Sequence, residues 1–334
     1  MLNTITTAKN NDKNQLIQEQ LNRKAVRRNF IGAIVPFLGL AFVFIFFTIV
    51  TDGRFITPIN IENMIHQSFG LLIIGVGAAF VWAHGGKDMS IGPSAGCGML
   101  ACALLLRAGF PLWLGLIACV AVTVSAASLV ALIALKLNVP VFIGSMCVRV
   151  SFLGILQFVT LQGIVVIDFH RFNFMNNVLL KATILILFVA VGIYLFNYTS
   201  FGKANKAIGG NDITAKQAGI NNKKFIFAAY MFMGFCIGIS AMFSLFRTGS
   251  VTGTTASGLE FQVMIAMALG GIPLNGGEKT RMISAIVGAI TITLLVNGLR
   301  VWGLEPQLVD GVQGILFIII VALSFDRSAG KLVS

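Results

Sequence analysis

Residues 30–50 read FIGAIVPFLGLAFVFIFFTIV, a run without a single charged side chain. A helix that crosses about 30 Å of hydrocarbon needs about 20 predominantly apolar residues, so this run is long enough to span a membrane. The same character extends along the chain, since 57% of its 334 residues are hydrophobic and 11% are charged. Soluble domains carry about 25% charged residues. The sequence therefore predicts an all-α, polytopic integral membrane protein.

Apolar runs of this kind recur along the chain and predict about ten transmembrane helices. The candidate spans are residues 30–50, 64–83, 89–106, 112–135, 139–160, 179–198, 225–246, 261–274, 283–302 and 308–325. The polar tail, residues 1–28, lacks the short apolar core of a signal peptide. We expect a cytoplasmic tail over 1–28, followed by a single transmembrane domain over 29–334.

The distribution of basic residues predicts the orientation. Lys and Arg collect in the cytoplasmic loops of membrane proteins, which accounts for the net charge of +12 without a nucleic-acid partner. With ten spans, both termini share one side. That side holds the basic tail, Lys87, Lys136, Lys203, Lys206, Lys216, Lys223, Lys224, Lys279, Arg281, Arg327 and Lys331. The other side holds only Arg54, Arg107, Arg171, Lys181, Arg247 and Arg300. We therefore expect both termini in the cytoplasm.

Two interruptions rich in small and polar residues divide the apolar pattern. Gly85 to Pro93 lies between the second and third spans, and Thr248 to Gly258 follows the seventh. They occupy corresponding places in the blocks 64–160 and 225–325, a pattern that indicates an inverted repeat with a solute path at its interface. The alternative is a pair of ordinary polar loops. The candidate path residues are hydrogen-bonding side chains at or near these breaks: Asp88, Ser90, Ser94, Thr252, Thr254, Thr255 and, in the ninth span, Asn297.

Arg149 is a full charge inside a predicted span. Such a residue costs about 2.5–3.5 kcal/mol on insertion scales, so it should face the bundle interior or water. It either lines the solute path or pairs with a carboxylate such as Asp88. Alternatively, it snorkels or links two helices through backbone carbonyls.

No metal site or reaction centre is indicated. The five cysteines lie in apolar stretches without zinc spacing, and His66, His84 and His170 lack the paired helical spacing of metal ligands. A membrane enzyme would need a nucleophile, a metal or an acid–base set within the spans, and Asp88 has no nearby His or Cys partner in the sequence. An ion-coupled secondary transporter remains an alternative, although the spans contain few acidic residues to carry a coupling ion.

Four motifs resemble those of ribose-type permeases of ATP-binding-cassette (ABC) importers. GGKDMSIG at 85–92 resembles the GGxDLSxG signature of that family. AIGGND at 207–212, followed by AGIN at 218–221, resembles its ALGGN…A…SGI loop. LGGIPLNGG at 269–277 resembles its LGGTSLxGG loop, and NGL at 297–299 continues the match. The motifs occur in the family's order and spacing.

The resemblance implies a type II fold, like that of vitamin B12 importers, in a bacterial cytoplasmic (inner) membrane. It implies three kinds of partner: a second permease copy or paralogue, cytosolic ATPase subunits and an extracytoplasmic solute-binding protein. The implied solute is a small sugar or polyol, and a nucleoside or a branched-chain amino acid is the alternative. Gly271 to Gly276 begins like an ATP-binding P-loop, but the Lys that must follow directly is absent. We therefore expect no cofactor on this chain, with ATP bound by the partner.

The resemblance also implies two cytoplasmic loops that couple ATP hydrolysis to alternating access. The first comprises Gly270, Gly271, Pro273, Gly276, Gly277, Glu278, Lys279 and Arg281. The second comprises Gly209, Gly210, Asn211, Asp212 and Gly219. The chain departs from the family pattern at Lys87, which is usually apolar, and at Gln262, which is usually acidic. Arg149 lies one helical turn before the family's usual arginine position. These departures would suit one half of a heterodimer.

Overall fold

The computed structural model describes residue 34 and residues 36–324, so the predicted tail over 1–28 lies outside the described residues. Helices dominate this part of the chain. They are α1 Pro36–Val50, α2 Pro58–Ala83, α3 Ile91–Arg107, α4 Leu112–Leu137, α5 Val141–Thr160, α6 Val178–Asn197, α7 Ser200–Gly210, α8 Asp212–Gln217, α9 Asn222–Thr248, α10 Leu259–Leu269, α11 Met282–Val301 and α12 Pro306–Ser324. Short 3₁₀ turns cover Arg54–Ile56 and Phe169–Asn176.

Six of these helices, α2, α4, α5, α6, α9 and α11, are long and apolar enough to cross a membrane. Four shorter apolar helices, α1, α3, α10 and α12, lie near the remaining predicted spans. The predicted boundaries agree with the helices to within a few residues, except that α2 begins at Pro58 rather than 64 and α10 ends at Leu269 rather than 274. Proline fits the first turn of a helix, which explains the earlier start of α2. The chain is a multi-pass, helical membrane protein.

The most extensive helix pairings join α9 to α4 and to α2, so α9 lies near the centre of the bundle. Glycines permit this close packing. A Cβ atom at Gly238 would lie 2.6 Å from the Thr123 hydroxyl, and one at Gly234 would lie 2.8 Å from the Val124 Cα. Small residues let helix backbones approach within membranes, where lipid removes the hydrophobic drive between helices. By contrast, α6 is mostly uncovered by protein, as expected for a helix that faces lipid.

Two regions predicted as loops contain regular structure. Residues 199–224 form α7 and α8, with the Asn211 side chain capping α8 by accepting from the Thr214 N–H at 3.0 Å. At the other end of the bundle, β1 Val165–Val166 pairs antiparallel with β2 Ser250–Val251. This short pairing joins the segment between α5 and α6 to the segment that precedes α10.

Candidate functional site

The first predicted break is a buried, internally bonded segment between α2 and α3. Asp88 is 2% exposed, and its Oδ1 accepts hydrogen bonds from the Ser90 N–H at 2.7 Å and the Ser90 hydroxyl at 2.6 Å. The Met89 N–H donates to the Ser145 hydroxyl of α5, and the Ser94 hydroxyl donates to the Ile91 carbonyl. The predicted path residues of this segment therefore use part of their hydrogen-bonding capacity on the backbone released by the break.

Burial perturbs the titratable groups of this break. It raises the pKa of Asp88 to about 6 and lowers the pKa of His84 to about 4, because both charged forms lose hydration. Asp88 Oδ2, His84 Nε2 and the Tyr230 hydroxyl are buried without a hydrogen-bond partner among the described residues. These three atoms, in or beside the break, therefore remain available for hydrogen bonding.

Arg149 pairs with a carboxylate, as one of the sequence-based alternatives expected, but the carboxylate is that of Glu260 and not that of Asp88. Its Nη2 lies 2.9 Å and its Nε 3.1 Å from Glu260 Oε1. The Glu260 side chain is completely buried at the start of α10, and a Cβ atom at Gly92, in the first turn of α3, would collide with its Oε2. Asp88 already bonds Ser90, whereas the start of α10 brings a carboxylate directly to α5. The ion pair thus joins α5 to the second break, beside the first.

The second break leads into a cavity of about 320 Å³ that is lined by hydroxyl groups. Thr248, Thr255, Ser257, Ser240 and Ser244 all line it. The hydroxyls of Thr252 and Thr255 lie 3.2 Å apart, and the Thr252 N–H donates to the Thr255 hydroxyl at 2.7 Å. Of the predicted threonines, Thr255 therefore reaches the cavity, while Thr252 and Thr254 (3.3 Å between hydroxyls) bond within their own loop.

Asn297 lies away from this cavity and forms a helix-to-helix contact instead. It exchanges two amide hydrogen bonds with Asn60, at 2.9 and 3.1 Å, and both side chains are buried. Asn60 was not among the predicted residues. It lies outside the predicted spans, and no sequence signal links it to a partner more than two hundred residues away.

The two predicted cytoplasmic loops meet at the end of α2. The Gly277 N–H donates to the Ala83 carbonyl at 2.8 Å. A Cβ atom at Gly209 would collide with that same carbonyl and would lie 2.7 Å from the Gly277 nitrogen. Gly85 also packs against the first loop, since a Cβ atom there would lie 3.0 Å from the Asn275 carbonyl oxygen. We call Ala83, Gly85, Gly209, Gly276 and Gly277 the glycine joint.

The rest of the first loop divides into packed and exposed residues. Gly270 is buried, and a Cβ atom there would collide with the Ser284 carbonyl of α11. Gly271 adopts a φ of 78° at the turn that follows, and Pro273 is half-buried. Three charged side chains are exposed and free to reach a partner: Glu278, Lys279 and Arg281.

The second loop lines a broad groove of about 890 Å³ on the same face. Gly209, Gly210, Asn211 and Asp212 form one wall, while the α2–α3 break and the α4–α5 turn form the others. Gly219 adopts a φ of 83° at the turn between α8 and α9. Gly85 and Gly209 of the glycine joint also line this groove.

Metal-binding groups and disulfides are absent from the described residues. None of their His, Cys, Asp and Glu side chains form a group of three or more placed to hold a metal ion, and all five cysteines are unpaired thiols. Glu260 was missed as a site residue. Its signal was the stretch Leu259 to Gln262, where an acidic residue follows a glycine-rich break.

Relatives with permease names align with nearly the whole chain. It is 28% identical to the ribose import permease protein RbsC of Bacillus subtilis, over 93% of this chain and 99% of RbsC. It is 28% identical to the galactose/methyl galactoside import permease protein MglC of Escherichia coli, over 90% and 95%. A probable ABC transporter permease of Escherichia coli, YphD, is 26% identical over 88% of each chain.

No solved structure is significantly similar to the chain. The family model described as branched-chain amino acid transport system / permease component matches residues 60–321. That match includes both breaks, the hydroxyl-lined cavity and the glycine joint. The chain belongs to this family of transport-system permease components.

Proposed function

We propose that this chain is the membrane-spanning permease of an ABC importer that moves a small sugar-like solute inward by alternating access. The glycine joint carries the proposal. There, two separate cytoplasmic loops touch the end of α2 through backbone atoms, at the point where the chain enters the first break. A movement imposed on either loop would therefore be passed directly to α2 and to the buried segment that contains Asp88.

The solute assignment is supported by the hydroxyl-lined cavity and by the relatives. A neutral polyol needs hydrogen-bond donors and acceptors rather than a countercharge, and serine and threonine hydroxyls provide both. The relatives named for ribose and galactose extend over nearly the whole chain. The name of the matching family keeps a branched-chain amino acid as the alternative, and a nucleoside would also use hydroxyl contacts.

We propose the type II architecture with ten spans, α1 to α6 and α9 to α12. The blocks 64–160 and 225–325 each begin with a long helix, α2 or α9, followed by a break and a shorter helix, α3 or α10. This correspondence supports an inverted repeat within one domain over 29–334. An even number of spans would place both termini on the same side of a bacterial inner membrane, and the excess of basic residues on that side favours the cytoplasm.

The proposed assembly contains a second permease, cytosolic ATPase subunits that bind ATP, and an extracytoplasmic solute-binding protein. This chain would need no cofactor of its own. The exposed Glu278, Lys279 and Arg281 and the broad groove would receive the ATPase, since both lie on the face of the glycine joint. The outer end of the bundle, where β1 pairs with β2, would receive the binding protein. An ion-driven carrier would need no such cytoplasmic partner.

Co-purification tests this proposal. The tagged chain, expressed with its neighbouring genes and extracted in mild detergent, should retain a soluble ATPase. Lys279→Glu combined with Arg281→Glu should release it, because the exposed side chains reverse their charge without disturbing buried groups. Arg107→Glu reverses an exposed charge at the end of α3 opposite to the first break, and it should not release the ATPase. A folded, monodisperse chain that never retains an ATPase would contradict the importer model and favour an ion-driven carrier.

A further inference from the structure

A second cavity, of about 190 Å³, lies where α2 and α6 begin and α9 and α11 end. It is the predicted outer end of the bundle. Three cationic side chains, Lys181, Arg247 and Arg300, line this cavity together with His66. Among the residues that the structure describes, no Asp or Glu lines it. We call it the cationic cavity, and its charge distinguishes it from the hydroxyl-lined cavity described above.

Lys181 is the buried centre of this cluster. The distribution of basic residues predicts that it lies on the side of the membrane opposite the termini, and the residue is 2% exposed. Its Nζ lies 3.0 Å from Asn176 Oδ1 and 3.2 Å from His66 Nδ1, so two neutral acceptors fix its position. An ammonium group carries three donors, and one is left over. Within the part of the chain that the structure describes, no carboxylate lies within salt-bridge distance of it.

The neighbouring cations increase the electrostatic cost. Arg247 and Arg300, which are both exposed, line the same cavity as the buried Lys181, and neither forms a salt bridge with a carboxylate among the described residues. The carboxylate of the largely exposed Glu62 lies 3.8 Å from His66, and Glu62 is not among the described residues that line the cavity. A buried charge is tolerated when it is paired. The geometry therefore indicates a missing anion.

The cationic cavity adjoins the hydroxyl-lined cavity. The two share the lining residues Ser240, Ser244, Leu259, Gln262 and Arg300. A single small molecule with hydroxyl groups at one end and a negative charge at the other would match the combined surface. Carboxylate and phosphate are the anionic groups that arginine binds well, because its planar guanidinium forms two parallel hydrogen bonds with them.

We propose that these adjoining cavities bind an anionic sugar derivative, a sugar acid or a sugar phosphate, with its charged group beside Lys181, Arg247 and Arg300. The inference deepens the proposed function, on which it rests for the sugar-like part of the solute. Hydroxyl groups of the ligand would contact Ser240, Ser244 and Thr255. A neutral sugar would leave the buried ammonium group without a counter-charge.

Ligand-dependent thermal unfolding of the purified full chain in detergent tests the inference. D-Galacturonate and D-glucose 6-phosphate should raise the unfolding midpoint by several degrees, since a ligand that binds only the folded state stabilises it. D-Galactose should have little effect. Lys181→Met, which keeps the apolar stem of the side chain, should weaken binding of the anionic probes by at least about tenfold. Arg300→Gln should weaken it too, at an exposed position with little risk to folding.

Arg107→Gln is the matched control, because Arg107 is exposed at the same end of the bundle but lines neither cavity. Equal stabilisation by galactose, or full retention of binding in both cavity variants, would overturn the inference. The inference would also be overturned if inorganic phosphate stabilised the chain and neither sugar derivative did. An anionic lipid headgroup could also supply the negative charge, and nanodiscs test this alternative. If phosphatidylglycerol alone stabilises the chain and this effect requires Lys181, the cavity binds a lipid headgroup instead.

This binding experiment needs neither ATPase nor binding protein. Anionic probes that bind a chain retaining no ATPase would support the cavity assignment while removing the importer model. An ATPase that copurifies with a chain showing no anion binding would do the reverse. The two proposals can therefore fail separately.

Discussion

Gly209 and Gly210 are adjacent glycines at the end of α7 with opposite environments. A Cβ atom at Gly209 would collide with the Ala83 carbonyl, whereas one at Gly210 would meet nothing within 4 Å. Ala83 is also the acceptor for the Gly277 N–H, so a displacement here would disturb both loops of the glycine joint. The close contact therefore requires a residue without a side chain at position 209.

Gly209→Ala should therefore destabilise the protein and uncouple it. Overpacking of this kind costs about 1–3 kcal/mol, so the unfolding midpoint in detergent should fall by several degrees, and stimulation of the ATPase by loaded binding protein should decrease. Gly210→Ala is the control and should behave like wild type in both assays. Equal behaviour of the two variants would show that the joint accommodates a methyl group and does not require direct backbone contact.

The ion pair of Arg149 and Glu260 makes a second residue-scale prediction. Removing one partner of a buried pair leaves an uncompensated charge and typically costs 3–5 kcal/mol. Glu260→Gln should lower the free energy of unfolding by an amount near the lower end of this range, because the Arg149 side chain is 24% exposed. Arg149→Met should cost more, since the Glu260 side chain is fully buried.

A double-mutant cycle measures the coupling. Arg149→Met combined with Glu260→Gln removes both charges together and should be more stable than Arg149→Met alone, as judged by the unfolding midpoint. Strictly additive losses would mean that the two side chains act independently and that the pair does not hold α5 to α10.

At the scale of elements, the helices could be predicted closely and their partners could not. Apolar run length determines where a membrane helix lies, because the hydrocarbon thickness sets one requirement for all of them. Pairings depend on the packing of distant segments. Arg149 and Glu260 are 111 residues apart, so nothing in the local sequence distinguishes Glu260 from Asp88 as the partner.

The contacts of Lys181 could not be predicted from its own helix either. Its position two residues into an apolar run agrees with an interfacial lysine that extends toward water. The structure instead directs its Nζ to Asn176 and His66, which belong to other elements. Likewise, α7 and α8 carry too many polar residues to be detected by apolar runs, although Asn211 at the start of α8 is a typical helix-capping residue.

The break between α2 and α3 predicts a pH effect. Because burial raises the Asp88 pKa from 3.8 to about 6, the folded state binds more protons than the unfolded state between these values. Stability from this group should therefore fall as the pH rises from about 4 to about 6 and stay constant above. His84, with its pKa lowered from 6.5 to about 4, acts in the opposite direction.

Comparison with Asp88→Asn isolates the carboxylate, because His84 is present in both proteins. The variant keeps an oxygen acceptor for Ser90 and cannot ionise. Its unfolding midpoint relative to wild type should rise between pH 4 and pH 6 and then remain level. A difference that does not change with pH would show that Asp88 keeps an ordinary pKa in the folded protein.

At the scale of the whole molecule, the two functional regions lie at opposite ends of α2. His66, near its start, lines the cationic cavity, and Ala83, at its end, belongs to the glycine joint. Most of α2 between them is buried, and α9 and α11 pack along it. In the proposed importer, this buried helix, which contacts both regions, would connect the solute mechanically to the ATPase.

This arrangement requires the two ends of α2 to face opposite sides of the membrane. Single cysteines test that requirement in intact cells with a membrane-impermeant thiol reagent. Four native cysteines are buried, and the exposed Cys147 is replaced by Ala. Arg107→Cys should react from outside, whereas Lys279→Cys and Lys216→Cys should react only after the membrane is opened. All three parent residues are exposed, so the side of the membrane on which each cysteine lies determines whether the reagent reaches it. External labelling of Lys279→Cys would place the glycine joint outside the cell, where no ATP is available to drive it, and the importer model would fail.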